Sequence, residues 1–222
     1  KEMFTNLSRT EIKKAIDWMF RVTTTRICAH TRTKPDDINF IIDLDNKMKV
    51  RAGRRFPNTG TVGMNLNDLW NVINMDFYFS YAQIGNRLLY QKDGCPIGGL
   101  ISSLLANVVC AYQEHIYMNK IDTNMAERIS GIRYTDDLML FVAYDKNDTH
   151  MEKSSNEVFD QFATLRNEKY ISQVYAGGLE LEPEDSFLQS DEKDIVKFAG
   201  MLITVEGAGK NLTIKSRTDN PN

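Results

Sequence analysis

The chain has 222 residues, 42% hydrophobic and 10% aromatic with only five prolines, which allows one sizeable core and argues against a disordered or low-complexity protein. Its three cysteines are odd in number and lack metal-ligand spacing, so they support neither a disulfide framework nor a zinc site and fit a reducing, intracellular compartment. The net charge is −3, yet residues 1–60 carry 13 Lys and Arg against 7 Asp and Glu, whereas residues 61–222 carry 14 against 23. A phosphate backbone responds to one basic face more than to the total, although solvated surface explains the same charges equally well.

In chain order, Ser8 followed by Glu11 reads as a capping box, and Ile12, Ala15, Ile16 and Met19 at helical spacing predict a helix over 9–21. "INFIIDLDNKMKVRA" predicts a hairpin turning at Asp45 to Lys47, and residues 28–63 are read as an insertion or hairpin. Leu66, Leu69, Trp70 and Ile73 share one helical face, and an aromatic strand is expected near Phe77.

"GCPIGG" then forms a loop in which Gly94, Gly98 and Gly99 permit close approach of a ligand to backbone, running into a long helix capped by Ser102 or Ser103. The uncharged run from Cys95 to Gln113 comes close to membrane-spanning length, but Pro96, Gly98, Gly99, two serines and Asn107 make it a poor span, and no membrane role is expected. A strand, the turn "YTDD" and a second strand follow. Residues 151–170 are expected to be a helix with Val158, Phe159 and Phe162 inward, and "GGLELEPEDSFLQ" and "IVKFAGMLITV" supply closing strands. The pattern is α+β: a small antiparallel sheet backed by helices.

Asp136 and Asp137 repel one another and call for a counter-charge. Carboxylate oxygens that leave positions for water and phosphate suit Mg²⁺, and two such ions can stabilise the attacking and leaving oxygens of phosphoryl transfer. A plain β-turn is the simpler reading of an isolated Asp-Asp. A tight turn before a core helix is likewise the simpler reading of the glycine loop alone.

Taken together and in this order, "GCPIGGLISSLLAN" and "RYTDDLMLF" resemble the B and C motifs of the reverse transcriptases, in particular those of non-LTR or Penelope-like retroelements. "FAGMLI" (residues 198–203) is similar to the start of their primer-gripping hairpin, which places primer-grip-like strands over 195–215. "KEMFTNLSRTEI" is similar to the tail of their A motif. The resemblance implies a polymerase palm occupying residues 1–222 as a single fragment. It implies RNA-directed DNA synthesis with two Mg²⁺ ions (Mn²⁺ as a substitute), an RNA template, a DNA primer and deoxynucleoside triphosphates, with the nucleus among the candidate compartments.

By the same resemblance Asp136 and Asp137 are the catalytic, metal-binding carboxylates. Phe4 screens out a ribose 2′-hydroxyl, and Tyr134 packs near the primer end. Pro96, Ile97, Gly98 and Gly99 shape the pocket for the template and nascent pair, with Ile97 standing where many relatives carry Gln or another long side chain. If Phe4 is the gate, the first catalytic Asp falls two positions before Lys1, and the chain alone is expected to lack polymerase activity. Asp43 or Asp45 is the in-chain alternative for that carboxylate. Lys47, Lys49, Arg51, Arg54 and Arg55 form a candidate phosphate-contacting ribbon. A non-catalytic nucleic-acid scaffold and an RNA-directed RNA polymerase are the competing functions.

Overall fold

In a computed structural model, the described residues are 7–46, 49–53, 58–95, 99, 101–134, 137–145, 147–166, 169–175, 179, 181, 195–199, 201–206 and 213–218. The chain is a mixture of helices and small antiparallel sheets, in agreement with the α+β expectation. It divides into two compact units, Glu2–Ile116 and Tyr117–Asn222, a subdivision that the sequence pattern does not mark.

The first unit opens with helix α1 (Arg9–Thr31). The Ser8 hydroxyl accepts the Glu11 amide at 3.1 Å, as expected, while the Glu11 carboxylate turns outward to Lys14 at 2.8 Å instead of closing the box. Ile12, Ala15 and Ile16 are buried. The helix runs ten residues past the expected end because neither Gly nor Pro interrupts it before Pro35; it stops where Arg32 takes a left-handed conformation (φ 54°) and donates its amide to the Cys28 carbonyl.

A 3₁₀ turn (Pro35–Asp37) leads into a three-stranded antiparallel sheet of order β2-β1-β3, with β1 (Asn39–Asp43), β2 (Val50–Gly53) and β3 (Thr61–Met64). The expected hairpin is present, with a third strand added.

Helix α2 (Leu66–Tyr78) begins with a full capping box between Asn65 and Asp68. It carries Phe77 inside its last turn, which corrects the strand expected there. Strand structure starts only at β4 (Tyr81–Ile84), paired with β5 (Arg87–Tyr90). Gly85, at φ 59°, occupies the first position of their two-residue turn, where a side chain would be strained.

Helix α3 (Ser102–Met118) follows, and its first bond runs from the Leu105 amide to the Ile101 carbonyl. Ser102 is therefore the first helical residue and not the cap, and its hydroxyl is buried without a hydrogen-bond partner among the described residues. Trp18 packs on Tyr112 and His115 (ring centroids 5.5 and 5.2 Å), joining α1 to α3.

The second unit holds α4 (Thr123–Arg128), the paired strands β6 (Ile129–Tyr134) and β7 (Asp137–Val142), and α5 (Thr149–Phe162). Helix α5 ends eight residues before the expected limit, and a further hairpin, β8 (Thr164–Arg166) with β9 (Lys169–Ile171), takes its place. Val158 and Phe162 face inward with Ser155, but Phe159 is exposed, one position off the stripe 155, 158, 162. Of "GGLELEPEDSFLQ" only Leu179 and Leu181 are described; they exchange backbone bonds with Ser172 and Tyr170. The final sheet is β10 (Ile195–Phe198), β11 (Met201–Glu206) and β12 (Thr213–Thr218), antiparallel in that order.

Candidate catalytic hairpin and glycine loop

The Asp-Asp motif falls at the turn of the β6–β7 hairpin, whose register pairs Tyr134 with Asp137, Arg133 with Leu138 and Ile132 with Met139. Because strand residues alternate in facing, Asp137, Tyr134, Ile132 and Met139 share one face, while Arg133 and Leu138 share the other. Asp137 and Tyr134 are exposed. Asp136 lies outside the described residues.

Both faces of this hairpin are held. On the Asp137 face, Met139 is buried in one apolar cluster with Phe198 and Ile203, against which Phe141 and Ala199 pack. This brings the β10–β11 hairpin, the segment read as primer-grip-like, onto the same strand that carries Asp137. On the opposite face the Arg133 guanidinium lies over the Tyr175 ring, 5.1 Å from its centroid, and donates to the Tyr175 hydroxyl. Tyr175 is itself buried edge-on to Phe162 (6.0 Å), which meets Tyr117 (5.2 Å).

Gly131 lets the strands close: a Cβ there would sit 3.1 Å from the Met139 carbonyl oxygen. Two cross-braced faces fix the hairpin more firmly than an isolated two-stranded ribbon, which is marginal in water. The Arg133–Tyr175 brace was not legible in sequence, since 42 residues separate the partners and no local pattern links them.

The glycine loop belongs to the first unit. Pro96, Ile97 and Gly98 lie outside the described residues, as does Phe4. Gly94 has a φ of 77°, which requires glycine, and the Gly99 carbonyl accepts the Ser102 amide at 3.4 Å just before α3. Cys95 is fully buried, and burial, reinforced by the nearby Asp76 carboxylate and offset in part by Arg9, pushes its thiol up to about 11, so it is no nucleophile at neutral pH.

Asp43, the in-chain alternative for the first carboxylate, is occupied locally: its Oδ1 accepts the backbone amides of Asp45 and Asn46 at 3.0 and 3.1 Å, an Asx turn. Of the basic ribbon, Lys49 and Arg51 are described, both exposed, Arg51 in the edge strand β2 and Lys49 just before it. Lys47, Arg54 and Arg55 fall outside the described residues.

Among the described residues no three His, Cys, Asp or Glu side chains converge as a metal-holding group, and no helix is long and apolar enough to cross a membrane. No family model, curated protein or solved structure matches the chain.

Proposed function

We propose that the chain is a reverse-transcriptase-like palm, built for RNA-directed DNA synthesis. The observation that carries this reading is the braced β6–β7 hairpin: a Tyr-x-Asp-Asp turn whose Asp137 face packs through Met139 on the β10–β11 hairpin. The order of elements supports it as well, since a glycine loop leads into a long helix before that hairpin.

The Asp137 carboxylate, exposed at the first residue of β7, fits a divalent cation that keeps water and phosphate ligands. Mg²⁺ bound there with Asp136 would supply charge stabilisation for attack of a primer 3′-hydroxyl on the α-phosphate of a deoxynucleotide, with loss of pyrophosphate. The role of this chain's residues is then geometric. In this reading Asp137, with Asp136, would offer carboxylate oxygens at the end of a hairpin braced through Arg133 and Met139, Tyr134 would lie beside the primer end, Pro96, Ile97, Gly98 and Gly99 would frame the template and nascent pair, and Phe4 would exclude a 2′-hydroxyl.

The test is extension of a DNA primer on an RNA template with Mg²⁺ and deoxynucleotides, run on the chain alone and on the chain lengthened at its N-terminus. Extension that is lost in Asp136→Asn supports the reading. Binding of the hybrid without extension in either form favours a non-catalytic scaffold. Equal use of ribonucleotides points to an RNA-directed RNA polymerase and removes Phe4 as the gate.

A further inference from the structure

The β4–β5 hairpin is unlike every other sheet of the chain for which side chains are described: all eight of its strand residues are exposed. With the end of α2 it presents a group of rings to solvent, with Tyr78, Phe79, Tyr81 and Tyr90 exposed by 74, 71, 53 and 47%. Tyr81 and Tyr90 are cross-strand partners with ring centroids 5.2 Å apart.

The base of this group is anchored. The buried Ser80 hydroxyl donates to the Asp76 and Phe77 carbonyls, its own carbonyl accepts the Gln91 amide, and Tyr81 donates to the Phe79 carbonyl. Arg9 of α1 lies 5.3 Å from both the Phe77 and Tyr90 ring centroids and donates to the Tyr90 hydroxyl and the Gln91 carbonyl. Rings held on a fixed base are preorganised for stacking.

We infer that this hairpin is a stacking platform for single-stranded nucleic acid. Base-aromatic stacking is tolerant of sequence and works together with nearby cations. Here Arg87 and Lys92 are exposed on and just beyond β5, beside the exposed Asp93, and the Arg9 guanidinium adds a third cation at the base of the rings. Strand β5 ends four residues before Gly94, where the glycine loop begins, so the rings stand next in sequence to the segment proposed above to frame the template. The inference rests on the polymerase reading for its class of ligand, but it concerns binding and not the chemistry at Asp137.

Fluorescence anisotropy of a labelled oligouridine strand, without metal or nucleotide, tests it. The expected result is that Phe79→Ala and Tyr81→Ala each weaken binding by about tenfold, that Tyr81→Phe restores it, and that Arg87→Ala lowers the salt slope by about 0.7. Ring variants that bind as the parent does would overturn the platform. So would concentration-dependent self-association that the same variants abolish, since that assigns the rings to a protein contact. Primer extension with unchanged strand binding in the ring variants removes the platform alone; ring-dependent binding with no extension by the N-terminally lengthened chain removes the polymerase reading and leaves the platform.

Discussion

Two hairpins with similar local chemistry have different tertiary surroundings. Strands β6 and β7, like β4 and β5, are antiparallel, short and joined across two residues. The first pair is braced on both faces, by Met139 in its apolar cluster and by Arg133 on Tyr175. Among the described residues the second is tied at its base by Arg9 and Ser80, and it leaves Ile84 and Leu88 about two-thirds exposed. A two-stranded ribbon packed on both faces keeps its register, whereas one held at its base leaves its outer side chains free.

The largest expected effect comes from cutting the first brace. Met139→Ala should cost about 2–4 kcal/mol of stability in denaturant unfolding, because it removes a buried side chain from a packed cluster. An equal loss in Leu88→Ala would show that the β4–β5 hairpin is covered too, and the contrast would disappear.

Next in size, Tyr175→Phe should cost about 1–2 kcal/mol by removing the acceptor of the charged Arg133 donor, with faster hydrogen exchange of the β6 amides. Unchanged exchange would mean that the apolar face alone holds the hairpin. Gly131→Ala should cost about 1 kcal/mol, since the new Cβ meets a backbone oxygen at 3.1 Å that has little freedom to retreat.

A smaller effect is confined to alkaline pH. The fold holds the Cys95 thiol protonated up to about 11, above its ordinary value of 9.0. That contribution is complete below about pH 9 and is lost as pH rises through the folded value, so the unfolding midpoint should fall between pH 9 and 11 and do so less in Cys95→Ala. Iodoacetamide at pH 8 should label the partly exposed Cys28 well before Cys95; the reverse order would show that the base beneath β5 opens readily. The smallest change is predicted for Leu88→Lys, within about 0.5 kcal/mol of the parent, as suits a side chain about two-thirds exposed.

Sequence alone located several elements from local signals, though the cap expected at Ser102 or Ser103 was not among them. The Ser8 cap, the inward face of α1, the β1–β2 hairpin and the Tyr-x-Asp-Asp turn were all legible because spacing over three or four residues sets them. Boundaries were less secure: α1 overran, α2 absorbed Phe77 and α5 stopped early, since aromatic and β-branched residues are accepted by helix and strand alike and packing decides between them.

What only the tertiary structure decided is which surfaces meet. Met139 reaches Phe198 from 59 positions away, Arg133 reaches Tyr175, and Asp43 turns its carboxylate to its own backbone. The exposure of the β4–β5 rings was equally invisible, because an apolar residue in sequence promises burial and only the surrounding chain can supply it. The sequence thus determined where carboxylates, glycines and rings stand along the backbone; among the described residues the fold determined which of them are braced and which are left exposed, because bracing is made by contacts between residues far apart in the chain.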